Sequence, residues 1–119
     1  MITREKVSAY IAENYQAQPE YPFKKFPNYC VFKHQCNHKW FALLMSIPQN
    51  KLYGDSEIEI EVIDVKVTPE LGDILKNSQA FYPAYHMNKE HWITIDLTAM
   101  TDFAQLSDLI DDSFKLTSN

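Results

Sequence analysis

The first half of the chain holds four potential zinc ligands within nine residues: Cys30, His34, Cys36 and His38. A tetrahedral zinc site needs bonds of about 2.0–2.3 Å to each of its ligands. Cys30 and Cys36 are separated by most of a predicted strand, which rises about 3.3 Å per residue, so the chain would have to fold back sharply. The spacing favours a buried Cys30 and solvated turn residues, and we predict no metal and no cofactor.

Carboxylates and histidines elsewhere in the chain are candidates for a metal site and for proton transfer. Glu57, Glu59 and Glu61 alternate along a predicted strand and share one face, without the loop oxygens of an EF-hand calcium site. A solvated strand face explains them better than a metal site. His86 and His91 have the right chemistry for proton transfer, but no nucleophile motif, phosphate-binding glycine loop or dinucleotide fingerprint accompanies them. We therefore predict that the protein is not an enzyme.

A polar segment between aromatic residues, 85–92, is the strongest candidate for binding. Lys89 has the chemistry to contact a phosphate, Asn88 to form a hydrogen bond, and Tyr85 or Trp92 to stack on a base. An ordinary β-hairpin has the same composition, because Trp and Tyr commonly pair across strands. The segment by itself leaves both interpretations open.

The charges of the chain are segregated along the sequence. The formal net charge is −5, which works against general affinity for nucleic acid. Residues 19–51 nevertheless hold five Lys against Glu20 alone, a net charge of +4, whereas residues 52–75 hold seven acids against Lys66, a net charge of −6. Residues 93–119 hold five Asp against Lys115, a net charge of −4. One basic face on an acidic protein is compatible with this distribution.

Local patterns in the first half predict a helix and three strands. Thr3 is a candidate N-cap for a helix over residues 4–16. Two β-prone runs, 29–34 and 39–47, flank the polar turn 35–38. A third strand over 57–67 changes its apolar phase near Val62-Ile63, from which we expect a bulge or twist that turns Asp64 and Lys66 to the other face.

Local patterns in the second half predict two helices around a second hairpin. Thr68-Pro69-Glu70 has the order of a helix start. Strands over 80–87 and 91–97 flank a turn at 88–90, in which Asn88 can adopt positive φ. Asp102 opens a final helix with a buried stripe. The order α-β-β-β-α-β-β-α predicts an α+β two-layer sandwich, with a five-stranded antiparallel sheet and helices on one face.

The size and composition of the chain favour one small intracellular domain. A length of 119 residues corresponds to a single domain, 1–119. The longest apolar run, residues 40–45, is far shorter than a membrane span, and residues 1–6 lack the pattern of a secretory signal. Two cysteines are too few for a disulfide framework. From these features we expect a cytoplasmic protein that does not cross a membrane.

Several segments together resemble the MmcQ/YjbR family. Residues 83–95 contain an H-x-N-K-x-H-W run that is similar to the signature of that family. Shorter pieces resemble it in the same order along the chain: Tyr21-Pro22-Phe23, Val31-Phe32-Lys33, Lys39-Trp40-Phe41-Ala42, Val65-Lys66 before Thr68-Pro69, and Leu109-Ile110 through Ser113-Phe114.

The resemblance implies a CyaY-like two-layer fold, similar in plan to secretion chaperones, and DNA binding through two β-hairpin wings. By position the wings are Gln35 to Lys39 and His86 to His91. The candidate nucleic-acid-binding residues are Lys33, His38, Lys39, Lys66, Tyr85, His86, Asn88, Lys89, His91 and Trp92. The alternative is a protein-interaction or chaperone-like module that binds a partner chain through a sheet edge or the acidic surface. Exposed aromatics at residues 21–26 leave a monomer and a weak dimer open.

Overall fold

Antiparallel strands and helices follow one another in the order that the sequence predicts. The structure is a computed structural model that describes residues 2–118. These residues form α1 (Arg4–Tyr15), β1 (Cys30–Lys33), β2 (Trp40–Pro48), a short 3₁₀ turn (Gln49–Lys51), β3 (Glu59–Lys66), α2 (Pro69–Leu75), β4 (Phe81–Pro83), β5 (Trp92–Asp96) and α3 (Phe103–Leu116). Within the described range, the five strands pair antiparallel in the order β1-β2-β3-β5-β4. The predicted α+β class and element order are confirmed.

Side-chain caps define where the helices begin. The Thr3 hydroxyl accepts a hydrogen bond of 3.1 Å from the backbone N–H of Lys6, which satisfies one of the donors that the first turn leaves free. Thr68 and Asp102 cap α2 and α3 in the same way. The longest helix, α3, has 14 residues, and no helix within residues 2–118 is long and apolar enough to cross a bilayer.

The sheet is covered on both faces, but by different kinds of structure. One face packs against the helices, and we call it the helix face. Its buried cluster includes Phe32, Leu44, Ile63, Ile93 and Ile110. The opposite face, which we call the loop face, carries a second cluster of Tyr29, Val31, Leu43, Met45, Ile47, Ile60 and Val62. Segments outside the strands cover the loop face. Apart from Trp40 of β2, its half-buried neighbours come from the connector 16–29, from residues 49–58 and from loop 84–91.

We expected a bulge or a twist near Val62-Ile63, and the bulge is not there. β3 pairs with β2 in unbroken register from Glu59 to Val65. Both Val62 and Ile63 are buried because the sheet is covered on both sides, and this two-sided burial produces the change of apolar phase in the sequence. The register instead shifts where β1 meets β2, opposite Phe41.

The second hairpin is shorter than predicted, with β4 ending at Pro83 rather than at residue 87. Beyond Pro83, the backbone N–H of Tyr85 donates to the Thr94 hydroxyl at 2.8 Å instead of continuing the strand ladder. His86 then adopts a φ of 72°, which turns the chain out of the plane of the sheet. Positive φ was expected at Asn88, and the structure places it at His86. Residues 84–91 therefore form a folded loop and not a tight extended hairpin.

Candidate nucleic-acid interface

Both candidate wings lie at the same end of the sheet. The strand register aligns the last residue of β1, Lys33, with the first residue of β2, Trp40. It also aligns the last residue of β3, Lys66, with the first residue of β5, Trp92. The turn after β1, residues 34–39, and the loop before β5, residues 84–91, consequently leave the sheet at one end, which we call the turn end.

The first turn bends toward the helices. The His34 ring lies 2.7 Å from the Thr117 hydroxyl and is buried, and the Asn37 amide donates to the Thr117 carbonyl at 2.9 Å. The next residues, His38 and Lys39, are exposed, and His38 has a φ of 61° that closes the turn. His34 is therefore a packing residue, while His38 and Lys39 are open to a ligand.

The second candidate wing bends the other way, onto the loop face. The His86 ring lies 6.1 Å from Phe26 and 5.8 Å from Tyr29, measured between ring centroids. At the tip of the loop, the Asn88 side chain accepts from the backbone N–H of Glu90 at 2.8 Å, while Lys89 is exposed. The expectation of two projecting hairpins is therefore wrong for this loop, because it folds back on aromatic side chains.

Basic and aromatic side chains alternate across the turn end on the loop face. Lys33, Trp40, Lys66 and Trp92 occupy four adjacent strands there, and all are half-buried. The Lys33 ammonium also forms an ion pair of 3.2 Å with Glu20. Lys66 and the two indoles thus form a surface with the chemistry to contact an anionic group and to stack on a planar one.

The acidic run of β3 lies at the opposite end of the sheet. Glu59 pairs with Pro48 at the far end of β2, and Glu57 is exposed just before it. We expected Glu61 to be solvated, but its carboxylate is engaged. It forms an ion pair with the Arg4 guanidinium at 2.9 Å and accepts a hydrogen bond from the Ser46 hydroxyl at 2.8 Å. The fold thus separates these carboxylates from the lysines of the turn end.

A buried carboxyl that the sequence analysis did not count among the candidate site residues lies beneath loop 84–91. Asp64 has no exposed surface, and its Oδ1 accepts a hydrogen bond from the Thr94 hydroxyl. Within residues 2–118, no group donates to Asp64 Oδ2. Burial raises the pKa of Asp64 well above its usual range, and the Thr94 bond and the charge of Lys89 oppose that rise. An acid placed directly between Ile63 and Val65 was the available signal for this group.

A second buried acid on the loop face is fully bonded. Asp96 accepts from the Tyr53 hydroxyl at 2.9 Å and from the Thr98 hydroxyl at 2.6 Å. Burial and the Asp96 bond raise the pKa of Tyr53 to about 12, so Tyr53 remains a donor at neutral pH. The two acids therefore differ, since Asp96 is a structural acceptor and Asp64 retains an unpaired oxygen.

An apolar cavity of about 300 Å³ opens beside loop 84–91 on the loop face. We call it the aromatic cavity, and its lining residues are Phe23, Phe26, Tyr29, Trp40, Leu43, His86 and Met87. Sequence reasoning missed it, because its walls come from three separate segments of the chain. Burial and the charge of Lys89 both lower the pKa of His86, so the cavity wall is uncharged at neutral pH.

The suspected zinc ligands are dispersed in the structure. Cys30 is buried in the helix-face cluster, whereas Cys36 is exposed in the turn. Over residues 2–118, no three His, Cys, Asp or Glu side chains come together in a way that could hold a metal ion.

Comparison with known proteins finds relatives over nearly the whole chain. The YjbR family model matches residues 12–116. The uncharacterized Bacillus subtilis protein YyaQ is 40% identical over 117 residues, which are 98% of this chain and 99% of that protein. A crystal structure from Pseudomonas syringae superposes with a TM-score of 0.94 at 45% identity and covers 98% of this chain and 99% of its own. A Deinococcus radiodurans protein with a DUF419 domain gives a TM-score of 0.77 at 25% identity, with 100% of this chain and 80% of its own covered.

Proposed function

The chain belongs to the YjbR family, and from that premise we propose that it binds nucleic acid, without catalysis, at the turn end of its loop face. The observation that carries the proposal is the row of alternating lysines and indoles formed by Lys33, Trp40, Lys66 and Trp92. Lysines contact phosphates, and aromatic rings stack on bases of any sequence.

The charge distribution supports binding at this end despite the net charge of −5. Lys39 and Lys89 are exposed on the two turns, and Lys66 lies between them on β3. Two acids at this end are engaged with basic side chains: Glu20 pairs with Lys33 at 3.2 Å, and Glu90 lies 4.0 Å from His91. Asp112 lies on the helix side, in the pocket beside Val67. Because surface charges beyond about 10 Å are largely screened at 0.1 M salt, the acids at the far end of β3 oppose an approaching strand only weakly.

The two turns have different roles in this proposal. Lys89 on the second turn contacts phosphate, with Asn88 and His91 beside it, and Lys39 and His38 extend the contact from the first turn. Trp92 and Tyr85 supply rings toward the loop face. Because the turns bend toward opposite faces of the sheet, the strand crosses the end of the sheet and is not clasped between two parallel hairpins.

Fluorescence anisotropy with a labelled duplex and a labelled single strand, titrated at several salt concentrations, tests the proposal. Binding should weaken as salt rises, because phosphate contacts release counterions. Lys89→Ala should weaken binding about equally for all sequences and reduce the salt slope by about one. Lys6→Ala is the matched control, since Lys6 lies on α1 over the Phe103 ring and away from the turn end. No binding of either nucleic acid at low salt, or binding that salt leaves unchanged, would refute the proposal.

Binding of a protein partner is the second candidate, favoured by one exposed apolar side chain. Ile58 is 71% exposed between two glutamates, at the end of the sheet opposite the turns. An apolar group in an acidic setting fits a partner that carries an apolar anchor and basic neighbours. A partner captured by the wild-type protein and lost with Ile58→Glu would support this role, and equal capture by both would count against it.

A further inference from the structure

We propose that the aromatic cavity holds one unpaired base of a nucleic-acid strand whose phosphates lie against Lys24 and Lys25. This inference rests on the proposed function and adds what the site recognises. It adds the connector residues 23–29, which are outside the candidate wings, to the residues of the site.

The cavity walls have the geometry of a stacking site. The Phe26 and Tyr29 rings are stacked, with centroids 4.6 Å apart and planes 13° apart. Phe23 meets the Trp40 ring edge to face, at 5.8 Å and 81°. The wall rings therefore already contact one another in the two arrangements that aromatic groups prefer, and we infer that a planar ring entering the cavity extends these contacts.

The size of the cavity selects a single ring system. A volume of about 300 Å³ lies at the small end of the range for ligand sites. A base pair within a duplex cannot enter, because both of its bases are stacked between neighbours. An unpaired base presents a free face and can be turned into the cavity. Phe26 is 43% exposed, so the cavity is open to such a ligand.

The cavity is bordered by positive charge. The backbone N–H of Phe26 donates to the Phe23 carbonyl at 3.1 Å, which makes residues 23–26 a turn with Lys24 and Lys25 at its tip. Both lysines are exposed, and each is adjacent in sequence to a ring that lines the cavity. Lys89 adds positive charge near His86 on the other wall. An uncharged aromatic interior with a cationic border matches a nucleotide unit, which joins a planar base to an anionic phosphate.

Oligonucleotides with a single base test this inference directly. Two labelled single strands are used separately. Both consist of abasic sugar phosphates, and only the first carries one base, at its centre. The strand with the base should bind about 10-fold more tightly to the wild-type protein, as stacking of one base predicts. Phe26→Ala should remove most of that difference. Tyr21→Ala is the matched control, because Tyr21 is an aromatic of the same connector that is 59% exposed and does not line the cavity.

A second readout reports on the cavity itself. The chain has two tryptophans, so Trp92→Phe leaves Trp40 as the only indole and keeps a ring at position 92. Because Trp92 belongs to the proposed interface, the protein is first saturated with each strand, as judged by anisotropy. The fluorescence of Trp40 should be quenched by the strand that carries a base and much less by the abasic strand.

The outcomes separate this inference from the proposed function. The cavity is not a base site if the two strands bind equally, or if the base-dependent difference persists in Phe26→Ala. In either case, binding that weakens as salt rises still supports the proposed function. Absence of binding by the strands and by a duplex overturns both. A difference lost in Phe26→Ala and kept in Tyr21→Ala, together with quenching of Trp40, supports the inference.

Discussion

The helix face and the loop face of the sheet are covered by different kinds of structure. The helix face is covered by helices whose apolar stripes meet aliphatic and aromatic side chains, and its buried hydroxyls are bonded. The Ser113 hydroxyl, for example, donates to the Phe41 carbonyl at 2.6 Å. The loop face is covered by irregular segments and contains the buried acids Asp64 and Asp96, together with the aromatic cavity.

This difference concerns how closely each face of the sheet is packed. A face closed by helices gains its stability from close packing, and the pocket between α2 and α3, beside Leu71 and Lys115, has a volume of only about 180 Å³. A face closed by loops keeps cavities and partly satisfied polar groups, which cost stability but provide sites. The candidate binding residues Trp40, Lys66, His86 and Trp92 accordingly lie on or beside the loop face.

The largest expected effect is a cavity mutation on the helix face. Ile110→Ala removes a fully buried side chain from α3, and we expect a loss of about 2–5 kcal/mol in the free energy of unfolding. Leu52→Ala on the loop face should cost clearly less, because Leu52 is only half-buried. Urea denaturation of both variants measures the difference. Equal losses would show that the two faces are packed alike.

The next effect concerns the unpaired carboxyl of Asp64. Its pKa is raised in the folded state by burial, so the folded protein binds a proton more tightly than the unfolded chain. The contribution of Asp64 to stability is therefore complete below the unfolded pKa of about 3.9 and is lost as pH rises toward the folded pKa. Asp64→Asn should remove this pH dependence and raise the free energy of unfolding at neutral pH by about 1 kcal/mol.

Unfolding curves recorded between acidic and neutral pH test this expectation. Asp55→Asn is the control, since Asp55 is exposed in the segment between β2 and β3. A pH dependence in Asp64→Asn that matches the wild type would contradict the assignment.

His34 near the helix face should respond to pH in the opposite direction. Burial between Phe41 and Phe114 lowers the pKa of His34, with a smaller contribution from Lys39. A depressed histidine pKa means that its contribution to stability is present above the unfolded value of about 6.5 and is lost as pH falls through the folded pKa. Thermal unfolding of His34→Gln should lack this acid-induced loss, whereas His38→Gln, in the exposed turn, should keep it. The assignment fails if the two variants behave alike.

The last comparison concerns two tyrosine hydroxyls. Tyr53→Phe removes the bond to Asp96, which is fully buried, and should cost about 1 kcal/mol. Tyr10→Phe removes a bond of 2.8 Å to Asp111 on the helix side, where Tyr15 also donates to the same carboxylate. The Tyr10 variant should lose less stability, because Asp111 retains a partner. Chemical denaturation of the two variants at neutral pH provides the comparison. A larger loss of stability for Tyr10→Phe would contradict the expectation that the second tyrosine on Asp111 compensates.

The helices and the first hairpin could be predicted from the sequence because their signals are local. A capping residue such as Thr3 acts within one turn of its own position, and the polar turn 35–38 joins strands that are neighbours along the chain. The β3 bulge was wrongly predicted because the alternation of apolar residues reveals burial but not which layer covers each face. The second hairpin was wrongly extended because the bond from Tyr85 to Thr94 depends on how the loop folds onto the sheet.

The sequence by itself determined the order of the elements, the caps of the helices and the presence of lysines, histidines and aromatics near the two turns. Only the tertiary structure decided that the turns bend toward opposite faces, that Asp64 lies buried under a loop and that rings from three segments enclose a cavity. The physical reason is the separation along the chain over which each interaction acts. Caps, turns and periodicity depend on interactions within a few residues, whereas a shared site depends on side chains that only the packed sheet and its covering loops bring together.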